Sequence, residues 1–236
     1  MKIKYIGKCL LIDESGEQVL VLGDLHLGYE GSMRRSGVMI PVKLYDKCVN
    51  DFKEVIDFVG HVDKIIVLGD LKHEFGYILD EEWKNISNFL KLLKEYCDEL
   101  VIIEGNHDFI LFPILEKIGA TGVESYSWKK FIFAHGNKDF SELYTEKIKF
   151  WVFGHGHPAI VLREGVTREI YKCFLKGKYK YKKIILVPSF FPLIMGTDAR
   201  EHDLGYPFDF KLEKFKVVVV EDNLKNLEFG ELKDIN

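Results

Sequence analysis

The sequence predicts an α/β protein in which a largely parallel β-sheet is joined by a second, mixed or antiparallel sheet. Three observations carry that expectation: five short apolar runs that each end in polar residues, two segments of helical period between them, and a change to hairpin patterning after Thr167.

The runs are "QVLVLGDLH", "KIIVLGDLKH", "ELVIIEGNHD", "KFIFAHG" and "KFWVFGHGHP". Each is apolar on both alternating faces, the pattern of a strand buried on both sides. Each gives way to Gly, Glu-Gly or Ala and then to metal-ligating residue types, so the polar clusters belong just past the strands' carboxyl ends. Between the runs, Val42, Tyr45, Val49, Phe52, Val55, Ile56 and Val59 recur at three-to-four spacing after Pro41. Trp83, Ile86, Phe89, Leu90, Leu93 and Cys97 do the same after Asp80, a candidate N-cap. Both segments read as helices packed on a sheet. Alternating strands and helices imply right-handed parallel crossovers with ligands bound beyond the strand C-termini, so all five clusters are expected on one rim. After Thr167, "TREIYKCFL", a turn near Gly177 and "YKYKKIILVPSF" read as a hairpin, with "FKVVVVEDNLKNLEFGEL" following. That pattern favours a second sheet completing a sandwich within one domain, residues 1–236, over a separate domain.

Composition sets limits on function. With 47% hydrophobic residues, 30% charged and a net charge of −4, the chain has no overall attraction for nucleic acid, and a polyanion partner must find a local patch. The four cysteines, Cys9, Cys48, Cys97 and Cys173, are scattered, form no C-x-x-C pair and lie in apolar patterns, which argues for small core residues in a reducing cytosol. Nowhere do about 18 uncharged apolar residues run together, so no membrane span is expected and a cytoplasmic location is. A phosphate-binding loop, a G-x-G-x-x-G turn and a G-x-S-x-G elbow are absent, and His73-Glu74 is followed by Tyr77 where a zinc-protease helix needs its second histidine. A nucleotide-driven motor and a serine hydrolase are therefore disfavoured.

Seven side chains on the expected rim, Asp24, His26, Asp70, Asn106, His135, His155 and His157, are carboxylate, amide or imidazole ligands of first-row divalent metals. Alone, D-x-H after a strand is usually a turn. "GNHD", Gly105 to Asp108, arises by chance in only roughly one chain per thousand of this length, and "GHGH", Gly154 to His157, is about as rare. Seven ligands exceed the needs of one metal with an open position and suit two ions sharing a carboxylate. Six of the eight histidines lie in or beside these clusters.

The ordered set D-x-H, G-D, G-N-H-D, H-G and G-H-G-H resembles the calcineurin-like metallophosphoesterase superfamily over roughly residues 18 to 160. "GDLHLG", "GDLKH" and "LVPSFFPLIMGTD" more narrowly resemble archaeal ICC-like phosphoesterases, kin of bacterial DNA-ligase-associated enzymes. The resemblance implies a four-layer α/β/β/α sandwich with two mixed β-sheets and a dinuclear metal site at the strand C-terminal ends. It implies that Asp24, His26 and His157 hold one metal, that Asp70 bridges, and that Asn106, His135 and His155 hold the second. His107 would approach the scissile phosphate and protonate the leaving alkoxide, with Asp108 orienting its imidazole. The metal pair would supply an acidic water aligned for in-line attack. Mixed oxygen and nitrogen ligation fits Mn, Fe, Zn or Ni, and Mn is the expected metal.

The function so implied is metal-dependent phosphodiester hydrolysis, with single-stranded nucleic acid or nucleotides as substrate and a DNA-repair helicase or ligase as a partner by family context. The alternatives are a phosphomonoesterase, a cyclic-nucleotide phosphodiesterase and, from another class, a non-catalytic interaction scaffold. Oligomeric state is not legible. Several residues stay open at this level. His73 reads equally as a substrate contact or a surface residue, while His61 and His202 read as solvent-facing. Arg34, Arg35 and Arg200 are candidates for substrate-phosphate contacts. "KGKYKYKK", Lys176 to Lys183, reads first as a charged edge and second as a nucleic-acid contact with base stacking on Tyr179 or Tyr181.

Overall fold

A computed structural model describes residues 1–38, 43–73, 80–108 and 112–235 of the chain. Its first sheet takes strands in chain order: β1 (Lys2–Ile6), β2 (Cys9–Glu14), β3 (Glu17–Leu22), β4 (Val62–Val67), β5 (Cys97–Ile103) and β6 (Thr121–Val123). The pairs β1–β2 and β2–β3 are antiparallel, and β3 through β6 are parallel. The second sheet holds β7 (Ser125–Trp128), β8 (Phe131–Ala134), β9 (Phe150–Phe153), β10 (Pro158–Glu164), β11 (Thr167–Tyr179), β12 (Lys182–Leu186) and β13 (Thr197–Asp198), in the order β13-β10-β11-β12-β9-β8-β7. β14 (Lys216–Val220) pairs with both β11 and β15 (Asn226–Glu231). In this sheet β8, β9 and β12 run parallel and the remaining long pairings are antiparallel.

The helices are α1 (Tyr29–Arg35), α2 (Leu44–Val59), α3 (Asp80–Lys94) and α4 (Phe112–Ile118). α2 buries Leu44, Cys48, Phe52, Val55 and Ile56, and α3 buries Ile86, Phe89, Leu90 and Leu93. Both faces meet the outer side of the first sheet, at Leu20, Leu22, Ile65, Val67, Leu100 and Ile102. The expected periods hold, except that Trp83 stays largely exposed and Cys97 opens β5 instead of closing the helix. Pro41 and Val42 lie outside the described residues. No helix among the described residues is long and apolar enough to cross a membrane.

The sheets face each other across a layer that includes Val19, Val21, Ile66 and Val101 on one side and Phe131, Phe133, Phe174 and Val218 on the other. The outer side of the second sheet is covered by 3-10 turns and irregular chain, through Leu143, Leu204, Phe208, Phe215 and Leu232. The two sheets and the helical layer are as expected; the fourth layer, among the described residues, is made of turns.

Two local expectations are corrected. The five apolar runs do not share one sheet: the first three become β3, β4 and β5, and the last two become β8 and β9 of the second sheet. Their apolar faces are alike because both sheets are covered on both sides. The turn near Gly177 is absent, since β11 continues through it to Tyr179 and the chain reverses at Lys180, whose φ is 51°. Gly177 makes room instead, because a Cβ there would stand 2.2 Å from the Phe215 ring. Gly177→Val is expected to destabilise the fold by about 1–3 kcal/mol through overpacking. Thermal unfolding measures this, and adding Phe215→Leu should recover part of the loss.

Candidate metal centre

Every candidate ligand follows the carboxyl end of a parallel strand. Asp24 and His26 follow β3, Asp70 follows β4, Asn106, His107 and Asp108 follow β5, His135 follows β8, and His155 and His157 follow β9. Because β3, β4 and β5 end at the same rim as β8 and β9, the sandwich brings all of them together.

The ligand atoms converge. His26 Nε2 lies 3.1 Å from His157 Nε2, and His155 Nδ1 lies 3.1 Å from His135 Nε2. Asp24 Oδ1 is 3.4 Å from His157 Nε2 and 3.6 Å from His135 Nδ1. Asp70 Oδ2 is 3.5 Å from His135 Nε2 and 3.9 Å from His26 Nε2, between the two histidine pairs. Two sets of donor atoms each fall within a 4.8 Å span: Asp24, His26 and His157, and Asp24, Asp70 and His135. Both carboxylates therefore lie between the halves of the cluster.

The donor chemistry fits divalent metals. His135 Nδ1 donates to the Leu68 carbonyl at 2.7 Å, which turns Nε2 toward the centre of the cluster. Nε2 lies 2.9 Å from Asn106 Oδ1, so an imidazole nitrogen and an amide oxygen, both ligand types for a divalent metal, meet at one point. The 3.1 Å spacing of the histidine nitrogens is the chord between ligands about 2.1 Å from a shared centre at slightly more than a right angle. His26 Nδ1 is buried without a hydrogen-bond partner, which leaves that ring weakly anchored until its other nitrogen is ligated.

Burial shapes the titration of the cluster. His26 falls to about 3 and His155 to about 4, in both cases first through burial, so these rings are neutral and ready to ligate across the ordinary pH range. Burial also works to raise Asp24, but the attraction of His157, His135 and His26 outweighs it and holds the carboxyl far below its usual range. Asp70 is pushed up to about 7 by burial and then by the charge of Asp24. Burial opposes the charge on His157, yet facing Asp24 raises its pKa.

The loops are braced from behind. Leu25 and His26 N–H donate to the Asp70 carbonyl at 3.1 and 2.8 Å, and Leu27 N–H donates to Leu71 O at 2.9 Å. Asp70 Oδ1 accepts from His107 N–H at 3.1 Å, and Asp24 accepts from His155 N–H at 3.1 Å. Gly105 is needed for this closeness, since a Cβ would stand 2.2 Å from both the amide and the carboxylate of Asp70. His26, Asp70, His155 and His157 all adopt positive φ, between 40° and 65°. Left-handed backbone at non-glycine residues costs about 1–3 kcal/mol each and persists where the surroundings impose it.

Asp108 does a different job from the one expected. Its carboxylate accepts from Leu71 N–H at 2.9 Å and Gly105 N–H at 3.0 Å, pinning the β4 and β5 loops together. The His107 ring is oriented instead by the His73 carbonyl, 2.7 Å from Nδ1, and the two imidazoles stack at 6.3 Å. His107 Nε2 then lies 3.8 Å from Asp70 Oδ2 at the partly exposed edge of the cluster.

Three supporting residues were not singled out from the sequence. Tyr206 clasps the β9 loop, with its hydroxyl donating to Gly154 O and accepting from Gly156 N–H at 3.2 Å. Ser189 Oγ donates to the Asp24 carbonyl at 3.0 Å. Lys172 is buried, which lowers its pKa well below that of an exposed lysine, and it donates to the carbonyls of Ser189 and Phe191. Arg200 is not a phosphate contact, because Asp198, Val161 O and Ile235 O occupy its guanidinium. Arg34 and Arg35 fall in the last turn of α1. His61 pairs with Asp98 at the surface, and His202 is exposed.

A family model described as calcineurin-like phosphoesterase matches residues 18–220. The chain belongs to the calcineurin-like phosphoesterase family. It is accordingly a metal-dependent hydrolase of phosphoesters, and the convergent ligands are its candidate metal-binding residues. Among solved structures, the chain is similar to the Pseudomonas putida nuclease MPE, with a TM-score of 0.63 and 16% identity over 94% of this chain and 100% of that one. The E. coli phosphoesterase YfcE also matches, with a TM-score of 0.44 and 11% identity over 90% of this chain and 98% of that one. No curated protein matches the chain significantly.

Two outcomes are expected here. A cation must displace the proton that Asp70 holds below about pH 7, so Mn2+ binding should release more protons at pH 6 than at pH 8. Titration calorimetry in buffers of different ionisation enthalpy counts them. Tyr206→Phe keeps the ring but loses both hydroxyl bonds, and should weaken metal binding about 10- to 100-fold, read by competition with a chelator.

Proposed function

We propose that the protein is a dinuclear phosphodiesterase acting on nucleic acid, with Asp24, His26 and His157 holding one metal, Asn106, His135 and His155 the other, and Asp70 between them. The observation that carries this reading is His107, partly exposed at the cluster edge, whose Nδ1 is fixed on a backbone carbonyl while Nε2 stays beside Asp70 Oδ2. Divalent metals held here would supply Lewis acidity and a water acidic enough to attack phosphorus near neutral pH. Asp70 fixes the register of the two ligand loops through its own backbone and side chain. His107 delivers a proton to the leaving oxygen. Burial holds its pKa at about 4 without substrate, while the His73 carbonyl favours the charged ring, and a phosphate anion alongside would favour it further.

The fold likeness to a protein described as a nuclease supports a nucleic-acid substrate, as does the resemblance of "GDLHLG" and "LVPSFFPLIMGTD" to ligase-associated enzymes. Mn is the proposed metal and the cytoplasm the proposed location, within a single domain. A panel comparing bis-p-nitrophenyl phosphate, p-nitrophenyl phosphate, cyclic nucleotides and labelled single-stranded DNA and RNA across added metals tests the substrate class. Faster turnover of the monoester than of every diester would overturn the diesterase reading. His107→Ala should keep bound metal and lose about 10²–10⁴-fold in kcat, whereas Asp70→Ala should lose metal and activity together. Metal content measured beside activity separates the two.

A further inference from the structure

The sandwich has a second concave feature at the end opposite the metal centre. A cavity of about 770 Å3 opens where β1 diverges from β11, β12 and β14. Phe150, at its wall, begins β9, whereas His155 follows the far end of that strand, about 16 Å away along an extended chain.

The lining is basic in a chain whose net charge is −4. Lys176, Lys178, Lys183, Lys211, Lys214 and Lys216 surround the cavity, against Glu228 and Glu231. Lys176 pairs with Glu228 at 2.8 Å, and Lys211 with Asp209 at 2.8 Å. Glu231 is taken by Lys233, also at 2.8 Å. Lys183 stands over the Phe150 ring at 5.0 Å. Lys178 forms no hydrogen bond or ion pair among the described residues, while Lys216 stands opposite Glu231 across β14 and β15 and, with Lys214, helps hold that carboxyl low.

Strand register sharpens the point. Lys178 lies directly opposite Lys183 on β12, and Lys176 directly opposite Lys216 on β14. Like charges facing across a strand pair are destabilising; Glu228 and Glu231 offset the Lys176–Lys216 pair, which leaves Lys178 and Lys183 as the facing pair that a bound anion would relieve. The basic hairpin does not act as a stacking platform at Tyr179, whose ring packs with Trp151, Phe208 and Phe210. Lys182 is likewise committed, to the carbonyls of Thr145 and Ile148 at 2.7 Å each. Tyr181 stands exposed at the hairpin tip and Lys180 lies over the Tyr144 and Tyr179 rings, while Lys176, Lys178 and Lys183 line the cavity.

Between the lysines the wall is apolar, with Ile3, Tyr5, Ile184 and Ile185. The volume lies within the range of small-molecule sites, about 300–1,000 Å3. The facing Lys178 and Lys183 beside an apolar wall suit a compact polyanion with an aromatic body.

We propose that this pocket is a second ligand site, remote from the metal centre, that binds a nucleoside polyphosphate. The test is titration calorimetry of the full chain, freed of metal with EDTA, using ATP as the probe. ATP should bind at one site per chain. Lys183→Glu and, separately, Lys178→Glu should each weaken it at least about tenfold, the scale of a lost hydrogen bond to a charged group. Each reversal turns a like-charge pair into an opposite-charge one, so the thermal midpoint of the unliganded protein should not fall, which separates lost binding from lost folding. Inorganic triphosphate should bind more weakly than ATP. No ATP binding, binding unaffected by either reversal, triphosphate binding as tight as that of ATP, or a reversal that weakens only oligothymidylate binding would each overturn the proposal.

Discussion

Two carboxylates shut away from water set the terms for the rest of this structure. Asp24 is fully buried and Asp70 nearly so, close to four imidazoles of which two are held neutral by that same burial. A buried carboxylate without a partner is strongly unfavourable, and neutral imidazoles offer lone pairs in place of positive charge. The site is thus built around a deficit of positive charge, which divalent cations remove. His157 supplies part of the missing charge to Asp24 in the meantime, and Asp70 answers by holding a proton.

Meeting that constraint takes two sheets. Neither the β3–β5 loops nor the β8–β9 loops hold a full ligand set, and they meet because the strands of both sheets end on one rim. The approach is close enough that backbone takes up the strain, with four candidate ligand residues in left-handed conformation. Asp108, Ser189 and Tyr206 answer from behind, each satisfying backbone groups of the candidate ligand loops, and Lys172 holds the chain around Ser189 in turn. A family resident in phosphoester hydrolysis needs this rigidity, because ligands displaced by a fraction of an ångström no longer share their ions.

Much of the fold was legible in the residues because strands buried on both faces read as unbroken apolar runs, and the candidate ligands follow each run at a short fixed offset. The helical periods before β4 and β5 were legible for the same reason: one face of each helix is apolar. What escaped depends on contacts between distant parts of the chain. Gly177 looks like a turn residue until Phe215 is seen lying where its side chain would be. Asp108 stands next to His107 in the chain, yet its carboxylate serves the backbone of the neighbouring loops. Tyr206 is one aromatic among several in "LGYPFDF", and only the folded loop marks it. The assignment of the last two runs to a second sheet was hidden too, since a short parallel strand reads alike in either sheet.

The central claim is that these seven side chains hold two ions and not one. Anomalous diffraction from crystals saturated with Mn2+ tests it directly. Two peaks about 3.5–4 Å apart are expected, one bounded by Asp24, His26 and His157 and the other by Asn106, His135 and His155, with Asp70 between. A single peak at saturating metal, or a pair in which Asp70 touches neither ion, would contradict it.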